Sequence, residues 1–121
     1  MLILDLDRTY GIATIQPAGP LQKSDFENIA KQLDDYIEER GDLAGLIIHT
    51  ETFPGWKDFG ALINHLKFIN DHHKKIRKIA PATNSDIASI LPKIANHFVN
   101  AEIRSFDYDE YEEAKAWIME E

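Results

Sequence analysis

Five histidines, His49, His65, His72, His73 and His97, are the residues best suited to metal binding or proton transfer in this chain. His65 and His72 lie seven residues apart, so they can share one helix face, and Asp71 adds a carboxylate to the set. No H-E-x-x-H or other ligand spacing is present, so polar helix-end residues are the favoured reading and no metal or cofactor is expected. Sequence separation alone supports no Ser-His-Asp arrangement. The absence of cysteine excludes disulfides, thiolate catalysis and cysteine-based metal sites. The basic run His72-His73-Lys74-Lys75, continued by Arg77 and Lys78, is the one such cluster in a chain of net charge −8. It complements the negative end of a helix, and it also suits an anionic headgroup or an acidic partner. Phe53-Pro54-Gly55-Trp56 places two large aromatics in a loop, where they must either fold onto the core or bind something.

A second chemistry is suggested by Asp5-Leu6-Asp7-Arg8-Thr9, which follows an apolar run. The segment resembles the nucleophile motif of haloacid-dehalogenase-type phosphatases. That resemblance would make Asp5 the attacking group and Asp7 the acid/base, with Thr50 as the second motif and Asp107 with Asp109 as acids for Mg²⁺. Arg8 stands where that motif usually has glycine, and the chain is short for such a fold. Two solvated aspartates at a strand end are the plainer reading, so the Mg-dependent phosphatase is the weakest of the functional alternatives.

The elements that must position these residues follow from periodicity. Leu2 to Leu6 and Gly11 to Ile15 read as strands joined by a turn at Asp7 to Tyr10, and Gln16 to Gln22 as a loop. Ser24 with Glu27 forms a capping box that opens a helix. Phe26, Ile29, Ala30, Leu33 and Ile37 recur on one face of it, and Gly41 stops it. Leu43 to His49 contains the unbroken group Leu46-Ile47-Ile48, the pattern of a strand covered on both faces. A second helix is expected from Asp58 to Asp71, a strand from Ile76 to Ala80, and a third helix from Ser85 to Phe98 that Pro92 kinks or divides. Ala101 to Phe106 is the last strand. Asp109 with Glu112 opens a final helix that turns Tyr111, Ala114, Trp117 and Ile118 inward. The order β-β-α-β-α-β-α-β-α predicts an α/β fold: a mixed sheet in which an antiparallel hairpin precedes right-handed crossovers.

At 121 residues, 44% hydrophobic and 28% charged, the chain is expected to be one globular domain, 1–121. The start carries no basic leader region and no apolar run approaches a membrane span, so a cytoplasmic location is expected. The acidic balance argues against nucleic acid as a partner.

Three stretches together resemble the SpoIIAA-like family, a STAS/SEC14-type group. They are Leu46-Ile47-Ile48 leading through Phe53-Pro54-Gly55-Trp56, then Arg77-Lys78-Ile79-Ala80 running to Thr83-Asn84, and Ala101 to Phe106 continuing through Glu112 to Ile118. The resemblance implies a mixed sheet with four helices, no catalytic residues, and kinship with anti-sigma-factor antagonists and CRAL-TRIO lipid-binding domains. Antagonists carry a regulatory serine at the start of the helix after the third strand. This chain has Trp56-Lys57-Asp58-Phe59-Gly60 there, with no serine, so that switch does not transfer.

The lipid-binding side of the likeness implies a pocket for a small apolar molecule or lipid, lined by Phe59, Leu62, Ile63, Leu66, Ile90, Ile94 and Phe98 with Trp56 at its mouth. Phe53, Trp56, His72, His73, Lys74, Lys75, Arg77 and Lys78 would form a membrane or partner surface, giving peripheral membrane association. A non-enzymatic binding module of this kind is the leading expectation, and a STAS-type protein–protein regulatory module is the alternative. Ligand identity and oligomeric state are left open by the sequence.

Overall fold

The structure is a computed structural model that describes residues 2–17, 23–51, 76–84, 92 and 101–120. Five strands, β1 (Leu2–Asp7), β2 (Ile12–Pro17), β3 (Leu43–His49), β4 (Ile76–Ala82) and β5 (Glu102–Ile103), form one sheet in sequential spatial order. β1 runs antiparallel to β2, whereas β2, β3, β4 and β5 are parallel, so the sheet is mixed as expected. Two helices, α1 (Lys23–Arg40) and α2 (Tyr111–Met119), stand among the described residues, α2 preceded by a 3₁₀ turn at Tyr108–Glu110. The second and third expected helices lie outside the described residues, apart from an exposed, helical Pro92.

The run Leu46-Ile47-Ile48 shows why β3 is the centre of the molecule. Leu46 and Ile48 join the cluster of Ala13, Ile15, Ile29, Leu33, Tyr36 and Ile37 under α1. Ile47 points the other way, into a cluster with Ile12, Ala80, Ala82, Ala114 and Ile118 under α2. Alternating side chains therefore serve two cores, and an apolar run without alternation is what a doubly covered strand needs. On α1 the buried residues Ile29, Leu33, Tyr36 and Ile37 fall on one stripe. Tyr36 extends the expected stripe by a three-residue step from Leu33. Gly41 ends α1 in the left-handed region, φ 95°, with its N–H donating to Ile37 O at 2.7 Å.

Several expected boundaries move. β2 runs on to Pro17 through residues read as loop, because Gln16 and Pro17 pair with Ile3 and Leu2 of β1. α1 begins at Lys23, one residue before the expected Ser24. The final helix is prepared two residues earlier than Asp109: Asp107 N–H donates to Glu110 Oε1 at 2.8 Å, the reach-back half of a capping box.

The last strand contracts from Ala101–Phe106 to Glu102–Ile103 plus a single parallel bridge between Phe106 and Ala82. Pro81 supplies the reason. The carbonyls of Ile79 and Pro81 accept from Arg104 N at 3.1 Å and Phe106 N at 2.8 Å, so the nitrogen of Pro81 also faces this side. It has no proton to give, and the ladder there is interrupted. The β3 side of β4 is untouched and holds its pairing through Ala82.

Candidate functional site

The parallel strands end on one rim, where β3, β4 and the chain after β5 release His49-Thr50-Glu51, Thr83-Asn84 and Phe106-Asp107-Tyr108. Open α/β sheets place ligands at such carboxyl ends. These three segments are tied together. Thr50 N donates to Ala82 O at 3.1 Å, Thr83 N to Phe106 O at 3.0 Å and Asn84 N to Glu51 O at 3.2 Å. Side chains add to the lacing, with Thr83 Oγ1 donating to Glu51 O at 3.3 Å and Tyr108 N donating to Asn84 Oδ1 at 3.3 Å.

His49 is the hub. Gln16 Nε2 donates to its Nδ1 at 3.1 Å, and its Nε2–H donates to Tyr108 O at 3.1 Å. A donor on one nitrogen and a carbonyl on the other select the tautomer with its proton on Nε2. The ring stacks on Tyr108, centroids 4.3 Å apart, and on Tyr111, 4.8 Å apart. Tyr111 in turn shares a 2.8 Å hydrogen bond with Thr14 Oγ1 in β2. One imidazole thus joins β2, β3 and the start of α2.

Beside it opens a recess of about 510 Å³ lined by Ile3, Gln16, Pro17, His49, Thr50, Glu51 and Tyr108. The Glu51 side chain is exposed and makes no hydrogen bond or ion pair among the described residues. A second recess lies at the opposite edge, between Tyr10, Ala44, Lys78, Ile118 and Met119.

Of the residues singled out in the sequence, Trp56, Phe59, Leu62, Ile63, Leu66, Ile90, Ile94, Phe98, Phe53, His72, His73, Lys74 and Lys75 lie outside the described residues. Arg77 and Lys78 are described. Arg77 pairs with Asp42 at 2.6 Å, and its side chain is 71% exposed. Lys78 is half-buried and donates to the carbonyls of Trp117 at 2.8 Å and Glu120 at 2.9 Å, so its ammonium caps α2. That contact serves the fold, and Lys78 is a helix cap in this structure before it is a surface charge.

The phosphatase constellation is not assembled. Asp7 is level with Ile12, which is level with Gly45, five residues before Thr50 and therefore roughly 16 Å away along the strand. Asp5 is level with Thr14 and Ile47, still roughly 10 Å short of that rim along the strand. Asp7 Oδ1 instead accepts the amides of Thr9 at 3.0 Å and Tyr10 at 3.2 Å, building the hairpin turn. Among the described residues no three His, Asp or Glu groups gather as a metal site.

Gln16, Tyr108 and the hub role of His49 escape a reading by motif. The signal available was positional: His49 ends the central strand, and Tyr108 stands three residues ahead of Tyr111, on the same side of the helix start.

The doubly covered mixed sheet, with a hairpin at one edge and a braced carboxyl rim, is consistent with a STAS-type domain. The chain belongs to the SpoIIAA-like family, whose model matches residues 12–119. No curated protein and no solved structure matches it. Membership supports a binding or regulatory module, and STAS domains generally work through protein partners. No helix among the described residues is long and apolar enough to cross a membrane.

Proposed function

We propose that this chain is a non-enzymatic STAS-type regulatory module that docks a protein partner on the carboxyl rim of its sheet. The observation that carries this reading is the recess beside His49. It is shallow, mixed in polarity and lined by groups already braced by hydrogen bonds, with Glu51 left facing outward. Preorganised polar surfaces of this kind favour a protein partner, because binding then orders few side chains. A lipid tail needs apolar walls on most sides, which these residues do not provide. A photo-crosslinking amino acid at position 51 tests the proposal in cells. One discrete protein adduct is expected, lost with Tyr108→Ala and absent when the probe is moved to Lys31 on the exposed side of α1. Equal labelling from both positions, or none from either, sinks the reading.

The apolar-ligand reading has its own support in the sequence: Phe59, Leu62, Ile63 and Leu66 repeat at helical spacing, as do Ile90, Ile94 and Phe98. It proposes that these residues, with Trp56 at the mouth, enclose a lipid or other small apolar molecule, and that Phe53, Trp56 and the basic run meet a membrane. Native mass spectrometry of the purified chain would show a bound mass that Leu62→Asp releases. A chain that carries no added mass and whose tryptophan fluorescence ignores vesicles ends this reading and leaves the first intact.

A further inference from the structure

The two faces of the sheet are treated differently at its hairpin edge. Leu4 and Leu6 of β1 pack on the α1 side, so a strand's period of two sends Ile3 and Asp5 to the α2 side. Both are exposed there, because α2 packs on Ile12, Ile47, Ala80 and Ala82 of β2, β3 and β4. On this face, between the hairpin turn and α2, opens a trough of about 440 Å³ lined by Tyr10, Glu112, Lys115, Ala116, Met119 and Glu120. Three large apolar side chains are left exposed among the described residues: Tyr10 at 55%, Met119 at 48% and Ile3 at 41%. Two of them line the trough, and the third stands on the same sheet face. Exposed apolar residues scattered singly need no explanation, whereas two gathered in one concavity mark a contact surface. Methionine suits that role, since its flexible thioether shapes itself to what it meets.

The charges on this face decide what it fits. Asp5, Glu112 and Glu120 are exposed, and among the described residues their side chains make no hydrogen bond or ion pair. The nearby cations are engaged. Lys115 lies 5.7 Å from the Tyr111 centroid, and Arg8 is drawn to the α1 side, 5.8 Å from the Tyr36 centroid. Beyond Met119, Arg77 pairs with Asp42 and Lys78 caps α2. An apolar floor among unpaired carboxylates is complementary to a segment whose apolar side chains are flanked by lysine or arginine. A second copy of this chain would bring the same carboxylates to the contact, and at a net charge of −8 each the two repel. We infer that the trough between Tyr10 and Met119 docks a basic, apolar segment of a protein partner. Its occupancy does not depend on what docks at the carboxyl rim.

The test titrates the full chain with three labelled peptides, followed by fluorescence anisotropy: one alternating lysine with leucine, one glutamate with leucine and one lysine with serine. The lysine–leucine peptide should bind, and each of the others should bind about tenfold more weakly or worse, lacking either the charge or the apolar contact. E112Q/E120Q should weaken the lysine–leucine complex by about threefold or more, since one exposed ion pair contributes at most about fivefold. M119K should weaken it by about tenfold or more. E39Q removes the same charge from the exposed side of α1, on the other sheet face, and should change binding by less than about twofold. The proposal is overturned if the wild-type chain does not bind the lysine–leucine peptide or binds the glutamate–leucine one as well. It is overturned equally if E39Q matches E112Q/E120Q. Sedimentation of the wild-type chain that shows a dimer dissolved by M119K would put a second copy in the trough and also overturn it. Should M119K lose its circular dichroism signature, Y10S probes the same trough from the hairpin turn, and a loss below about twofold there rejects the site.

Discussion

Thr14 is 3% exposed on β2, and its hydroxyl meets the phenol of Tyr111 across the sheet face that α2 covers. A buried hydroxyl deprived of its partner costs more than the bond itself is worth. Tyr111→Phe should therefore destabilise the chain by about 1–2 kcal/mol and lower the thermal midpoint by about 3–8 °C. Adding Thr14→Val removes the stranded hydroxyl and should recover part of that loss, giving a measurable coupling in a double-mutant cycle. Additive single effects would show that the pair does not interact. This contact was half legible in the sequence. Helical spacing turned Tyr111 inward, but nothing in a linear pattern pairs residue 111 with residue 14.

At the scale of elements, α2 rests on a floor of small residues. Gly45, Ala80 and Ala82 lie beneath Ala114 and Ile118. A Cβ on Gly45 would fall 2.5 Å from Ile118 Cδ1 and 2.7 Å from Cγ1, and it would also meet Cγ2. Neither the strand, paired on both sides, nor the helix can retreat without losing other contacts. Gly45→Ala should cost about 1–3 kcal/mol by overpacking, read as a lower denaturant midpoint at unchanged slope. Ile118→Ala in the same chain should relieve part of that cost, even though alone it opens a cavity. If the double variant is no better than the sum of the singles, the close approach of α2 to β3 is wrong. Periodicity predicted α1, its glycine stop and β3 with little error, because each is written locally. The last strand is shorter than periodicity predicts because the missing Pro81 donor acts on a partner more than twenty residues away.

At the scale of the whole molecule, the described residues form a sheet with two different faces, α1 packing on one and α2 on the other. Removing residues 107–121 should expose Ile12, Ile47, Ala80 and Ala82 together, producing dye-binding apolar surface and a broadened, less cooperative melt. A sharp transition at the original midpoint would show that the second face does not need α2. Periodicity set the broad class, since a chain of this length with alternating strand and helix patterns has few other ways to bury its apolar residues. The sequence also marked β3 as covered on both sides, because at a strand's period of two a run without alternation puts apolar side chains on both faces. It did not decide what stands at either end of the sheet. The separation of Asp7 from Thr50, the conversion of Lys78 into a helix cap, and the joining of His49 to Gln16 and Tyr108 all depend on strand order and register. Those are long-range properties, settled only when the two faces pack, and it was the tertiary structure that decided them.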